Sequence, residues 1–160
     1  MISTNIEVNA LRFHDAWLEC CTHLTHARHA IKSLTAHLPL DGQKLALLDL
    51  ESIQDVDQLV LRYSKLQDSM GSKLFPALLK VLMEPLEDKP MLDKLNRLEK
   101  MGILPRVQRW QELREIRNKF AHDYPEGDDM KAVVLNAACS GIEELAEVLG
   151  RVGKAGGIIN

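Results

Sequence analysis

Arg114-Glu115-Ile116-Arg117-Asn118-Lys119-Phe120-Ala121-His122-Asp123-Tyr124-Pro125 is the stretch on which the reading of this chain turns. Ile116 and Phe120, spaced i to i+4, mark the apolar side of a helix. Arg114, Asn118 and His122 recur at i, i+4 and i+8 and form a polar stripe on another side. Pro125 biases Tyr124 away from helical geometry, so the helix is expected to end near Asp123 or Tyr124. His122 then falls in the last turn, where the negative end of the macrodipole favours a protonated imidazole. Arg117 and His122 lie five residues apart, which on a regular helix turns them about 140° from each other. One straight helix face cannot bring both to one ligand. The helix must break, or Arg117 must bend round, or a second subunit must complete the pocket.

Working outward, the chain reads as helices. Residues 5–38 form one long helix, with Ala10, Phe13, Trp17, Cys20, Leu24, Ala27, Ile31, Leu34 and Leu38 at three- and four-residue intervals. Pro39-Leu40-Asp41-Gly42 ends it, and residues 43–50 make a short turn of helix. A second long helix starts near Ser52 and buries Ile53, Val56, Val60, Tyr63, Leu66, Met70 and Leu74. Gly71 and Pro76 weaken or kink it, and Pro85 ends the helical stretch beyond them. Asp88 is a candidate cap for a short helix with the stripe Met91, Leu95, Leu98 and Met101, and Gly102 is its stop. Pro105 opens the next helix, which runs through Trp110 and Leu113 into the quoted stretch. Gly127 breaks the chain, and Asp128 is a candidate N-cap for a last helix carrying Met130, Val133, Ala137, Gly141, Leu145, Val148 and Val152. The expectation is an all-α fold: an up-and-down bundle of four main helices with short additional ones. Residues 1–152 form a single domain, and 153–160, with three glycines, a flexible tail.

Composition narrows the function classes. The net charge is −3 and aromatics make up 4%, so the molecule as a whole is no electrostatic trap for nucleic acid. Cations nevertheless cluster at Lys94, Arg97, Lys100, Arg106, Arg109, Arg114, Arg117 and Lys119, as a solvated helix face or as a track for an RNA backbone. Cys20, Cys21 and Cys139 make no disulfide framework, which fits a reducing cytoplasm. The first residues show no basic stretch with an apolar run behind it, so no signal peptide is expected. No apolar run reaches the length of a membrane span.

The chemistry of the quoted stretch is that of phosphodiester cleavage. Cutting RNA without a metal needs a base for the 2′-hydroxyl, an acid for the leaving oxygen and a cation for the phosphorane. Histidine suits proton transfer, because its ordinary pKa lies near neutrality. Arginine suits the phosphoryl oxygens with a planar, permanently charged fork. Asn118 can hold the imidazole or donate to phosphate. The alternative is structural: His122 closing a helix end, Arg117 in a surface ion pair. Tyr124, among Asp123, Pro125 and Glu126, is expected to be exposed. Arg62 and Asp68 on the second helix are either surface groups or the lining of a groove facing the Arg117–His122 end. His23, His26 and His29 invite a metal reading, but their fan is wide and no carboxylate–histidine motif accompanies them. No metal site is assigned.

The run Arg117-Asn118-Lys119-Phe120-Ala121-His122-Asp123-Tyr124 resembles the signature of the HEPN superfamily, and its His122-Asp123-Tyr124 end resembles the HepT-like branch. Arg62-Tyr63-Ser64-Lys65-Leu66-Gln67-Asp68 is similar to the second-helix pattern of that branch. The resemblance implies a metal-independent endoribonuclease toxin without cofactor, a homodimer whose Arg and His motifs meet in a cleft. Arg117 would bind the scissile phosphate, Asn118 position it or His122, and His122 move the proton. Arg114, Lys119, Arg62 and Asp68 would line the RNA cleft. It further implies a separate MNT-type nucleotidyltransferase antitoxin that adds AMP to Tyr124, repelling RNA by charge and bulk. Many HEPN relatives serve only as binding partners of a nucleotidyltransferase, so a non-catalytic module binding that partner or a nucleotide is the alternative.

Overall fold

A computed structural model describes residues 2–160 of the chain. These residues form seven α-helices, one 3-10 turn and one π turn, with no strand among them. The helices are α1 (Ile2–Ser33), α2 (Gly42–Ala46), α3 (Leu50–Ser69), α4 (Phe75–Val81), α5 (Met91–Lys100), α6 (Val107–His122) and α7 (Asp128–Ala155). Four of them, α1, α3, α6 and α7, are long. None is long and apolar enough to cross a membrane among the described residues.

The core forms where the apolar stripes of the long helices meet. Phe13, Trp17, Cys20, Leu24, Ala27 and Leu34 of α1 and its C-terminal end are buried at the expected period, while Ala10 stays exposed. α1 packs most extensively on α3 and also touches α4 and α7. Burial in this core pushes the Cys20 thiol up to about 12, so it sits as a neutral, packed group. On α3 the buried face is Val56, Leu59, Tyr63, Leu66 and, fully enclosed, Gln67; Ile53 is exposed, contrary to expectation. The helix starts two residues early because Asp49 accepts a hydrogen bond from the Ser52 amide at 2.8 Å and caps it.

The weak point foreseen at Gly71 and Pro76 is a π turn, Met70–Leu74, after which Pro76 sits in the first turn of α4. A wide turn resolves the conflict that a proline imposes without ending the helical path. α5 is not capped by Asp88: Pro90 occupies the N-cap position and offers no side-chain acceptor. Gly102 stops α5 as expected, at φ +76°, a conformation that favours glycine.

Two expectations for α7 are corrected. Gly127, not Asp128, is the N-cap, and Asp128 and Asp129 fall inside the first turn, beside its free amides. Met130 and Val133 lie on the solvent side, while the small residues Ala132 and Ala138 face inward with Leu135 and Ile142. The register is set by close approach. Asp129 sits so near Gly42 that any side chain on Gly42 would collide with it, and Asn136 clamps Leu40 by both its amide atoms, each bond 2.8 Å. At the other end α7 continues through Ala155, three residues beyond the expected limit. Gly153 lies against Trp17 and Gly156 against Phe13, and the Ile158 amide donates to the Gly153 carbonyl at 2.9 Å.

One polar group interrupts the apolar α1–α3 interface. Arg62 Nη1 lies 3.0 Å from His23 Nδ1, which must therefore be the unprotonated acceptor. Among the described residues His23 Nε2 and Arg62 Nε are buried without hydrogen-bond partners, and Glu19, held by Lys73, stands 3.9 Å from the ring. Burial first, then the Arg62 charge with lesser help from Lys65 and Lys73, lowers the His23 pKa below its ordinary 6.5; Glu19 opposes this. The unfolded chain thus takes up a proton that the folded one resists. Stability is constant above the ordinary value and falls as pH drops below it. The urea midpoint is expected to decline from about pH 7 to about pH 5, and His23→Gln to flatten that decline. An equal decline in wild type and variant would contradict this origin.

Candidate functional site at the end of helix α6

Helix α6 is placed by contacts at both ends. Its first amide, on Val107, donates to Glu99 Oε2 of α5 at 2.6 Å, which supplies a cap that the helix's own sequence lacks. Trp110 and Leu113 are buried, and Ile116 and Phe120 pack partly buried against the core. Tyr63 of α3 donates its hydroxyl to the Leu113 carbonyl at 2.7 Å. Its burial, the largest cause, pushes the phenol far above its ordinary range, so it acts as a fixed neutral donor. Gly141 lets α7 approach this junction: a Cβ there would crowd both Leu113 and Tyr63.

From that anchor the motif side chains fan out. Arg117 turns toward α3 and grips Asp68 with Nε and Nη2, at 2.7 and 3.0 Å. This parallel, two-bond pairing fixes the plane of the guanidinium. Its Nη1 stays outside the pair, 3.5 Å from Asn118 Oδ1, while Asn118 Nδ2 reaches Glu115 at 3.4 Å. Arg114, one turn earlier, donates to the buried Gln67 at 3.3 Å. Lys119 and His122 are exposed, and the His122 side chain has no hydrogen bond among the described residues. α6 runs without a break from Val107 to His122. The helix therefore keeps the Arg117–His122 divergence.

Tyr124 is half-buried rather than exposed. Its ring meets Phe120 edge-on, centroids 5.5 Å apart, and Phe120 meets Tyr63 in the same way at 5.9 Å. Lys131 stands 5.5 Å from the Tyr124 centroid. Burial, and then the nearby Asp57 charge, raises the Tyr124 pKa, so its phenol is protonated at neutral pH. The apolar neighbour that holds it lies four residues back on the helix, which the polar residues beside it in sequence conceal.

Of the second-helix residues, Asp68 joins the site and Arg62 does not, since its guanidinium is engaged by His23 at the α1 interface. Gln67 is the residue that the sequence pattern conceals: an amide fully enclosed on the apolar face, with Nε2 unpaired among the described residues and Oε1 accepting from Arg114. Much of the basic span is neutralised within the chain. Arg97 pairs with Glu84 at 2.8 Å, and Arg109 with Glu144 at 2.6 Å and Glu112 at 2.9 Å. His26 and His29 are exposed, and no group of three or more His, Cys, Asp or Glu suited to a metal ion occurs among the described residues.

Comparison with known proteins finds no family model, no curated protein and no solved structure that matches this chain.

The arrangement offers a guanidinium aimed by a carboxylate, an unengaged imidazole at a helix end, and a phenol steadied by an aromatic ring. The Arg117–Asp68 pair is partly solvent-exposed, so its coupling is on the order of 1 kcal/mol. A double-mutant cycle with Arg117→Ala and Asp68→Ala, read by urea unfolding, is expected to show that coupling. Strictly additive losses would mean that the pair does not hold the side chain in solution.

Proposed function

We propose that this chain is one half of a metal-independent endoribonuclease of the HEPN type, in which α1, α3, α6 and α7 form the bundle and a second copy completes the cleft. The observation that carries the reading is the split on α6: Arg117 fixed toward Asp68, His122 left open on the last turn of an unbroken helix. Two copies facing each other remove the difficulty of a divergence of about 140°, because the guanidinium of one and the imidazole of the other meet around one phosphate. Asp68 takes two of the five N–H groups of Arg117, which leaves Nη1 for a phosphoryl oxygen. Asn118 guides that edge, and Lys119 and Arg114 add positive charge near it.

In the reaction the 2′-oxygen attacks phosphorus and loses its proton to the His122 imidazole of one copy, while Arg117 of the other holds the phosphoryl oxygens. The same imidazole, now protonated, gives its proton to the 5′-oxygen as the bond from phosphorus to that oxygen breaks. The products are a 2′,3′-cyclic phosphate and a 5′-hydroxyl. Tyr124 is the control point of the same reading. Its Oη would attack the α-phosphorus of ATP on an MNT-type nucleotidyltransferase antitoxin, with pyrophosphate leaving and the phenolic proton going to a base of that enzyme. The added AMP places negative charge and bulk beside His122.

A non-catalytic module that binds the nucleotidyltransferase or a nucleotide through this surface is the second reading. The internal neutralisation of Arg97 and Arg109, with a net charge of −3, favours it. RNA cleavage separates the two. Purified protein is expected to cut single-stranded RNA in EDTA and leave cyclic phosphate ends. His122→Ala is expected to lower the rate by at least about a hundredfold with unchanged helicity. Equal cutting by variant and wild type, or no cutting by either, would remove the nuclease reading.

A further inference from the structure

The ring of His23 stands where α1, α3 and the π turn meet. Four charged groups bear on it: Glu19 one turn back on α1, Arg62 and Lys65 on α3, and Lys73 on the π turn; none comes from α4 or α7 among the described residues. Glu19 lies between two claimants. Lys73 Nζ is 3.1 Å from each of its carboxylate oxygens, and His23 Nε2 is 3.9 Å from one of them. The claims differ in depth. The Lys73 side chain is 60% exposed and the His23 side chain 11%. An exposed ion pair contributes little, whereas a buried charged donor without a partner is costly. While the ring is neutral, Lys73 keeps the carboxylate and Nδ1 accepts from Arg62 at 3.0 Å. A protonated ring reverses both arrangements. Nδ1 becomes a donor facing another donor, and Nε2–H becomes a charged donor that needs the carboxylate.

Lys73 is also the outer tether of the π turn. Met70, Gly71 and Leu74 of that turn are buried, while Ser72 and Lys73 face out. Ser72 Oγ donates to the Asp68 carbonyl at 2.7 Å, so the turn is joined directly to the residue that grips Arg117. A π turn inside a helical path often marks a functional site. We propose that this cluster is an acid-operated latch: when His23 takes up a proton, Glu19 leaves Lys73 for the ring, Arg62 is expelled, and the released π turn loosens the Asp68–Arg117 pair through Ser72. The handover reinforces itself. The Lys73 charge disfavours the protonated ring and the Glu19 charge favours it, so each step eases the next. Burial, and then Arg62, hold the proton affinity of His23 below its ordinary value, so the latch is closed at neutral pH and opens only as pH falls below 6.5. The acid loss of stability described above is global, whereas the latch is an opening at one turn. It needs no ligand and stands apart from the nuclease reading.

The test is hydrogen exchange on the full-length protein, followed residue by residue by NMR and corrected for the intrinsic pH dependence of exchange. The Phe75 amide, which donates to the Met70 carbonyl, reports the π turn, and the amide of Leu145, buried on α7, reports the core. Between about pH 7.5 and about pH 5.5 the Phe75 protection factor is expected to fall about fivefold, the worth of one exposed ion pair, beyond any fall at Leu145. The Arg117 Nε–H, held by Asp68, is expected to exchange faster over the same range. His23→Gln keeps an acceptor for Arg62 and cannot take the charge, so its Phe75 protection is expected to stay constant relative to Leu145. If that variant does not fold, Lys73→Met, at an exposed position, carries the test. Its Phe75 protection is expected to be low already at neutral pH and to fall no further in acid. Wild-type Phe75 protection that falls only in step with Leu145, an Arg117 signal that does not follow the turn, or an equal acid fall at Phe75 in either variant would each overturn the proposal.

Discussion

Arg117 and Asp68 are joined by two parallel N–H···O bonds across the seam between α6 and α3, and the geometry of the motif depends on that grip. A lone arginine at the end of an exposed helix would sweep a wide volume. Here the carboxylate sets both the plane and the direction of the fork. The seam beneath it is stiff for separate reasons. Tyr63 ties α3 to the Leu113 carbonyl, Gly141 allows α7 to close over both, and Phe120 carries the contact outward from Tyr63 to Tyr124. A change in the α3–α6 packing would therefore reach Arg117, Phe120 and Tyr124 together, while His122, beyond the last packed turn, would feel it least.

Charge is distributed with the same restraint. The span between Lys94 and Lys119 reads as strongly basic, yet its guanidiniums at Arg97, Arg109 and Arg117 each meet a carboxylate from elsewhere in the fold. Lys94, Lys100, Arg106, Arg114 and Lys119 of that span meet no carboxylate within ion-pair distance among the described residues, and Arg114 and Lys119, five residues apart, diverge by about 140° on α6.

Much of the fold is legible because it obeys repeating rules. The α1 stripe through Phe13, Trp17, Cys20 and Leu24, the stop at Gly102 and the end of α6 before Pro125 all come from periodicity or backbone preference. Elements set by neighbours are not legible. The cap of α6 comes from Glu99 on another helix, and the inward face of α7 at its start is chosen by Gly42 and Leu40, so alanines rather than Met130 and Val133 turn inside. The end of α7 reads as a run of small residues, whereas Gly153 and Gly156 are small because Trp17 and Phe13 lie against them. In the site, the i, i+4, i+8 stripe of Arg114, Asn118 and His122 is visible from spacing, and so is the Arg117–His122 divergence. The partner choices, Asp68 with Arg117 but Arg62 with His23, depend on which side of α3 faces which helix, and no local pattern encodes that.

The central claim is that a guanidinium and an imidazole from different copies act on one phosphate. Mixing tests it most directly. Arg117→Ala and His122→Ala chains, each inactive alone, are unfolded together, refolded to allow mixed pairs, and assayed for RNA cleavage. The predicted result is cleavage that neither parent has, because a mixed pair still holds one Arg117 and one His122 across its cleft. Mixed pairs that form and stay as inactive as the parents would contradict it.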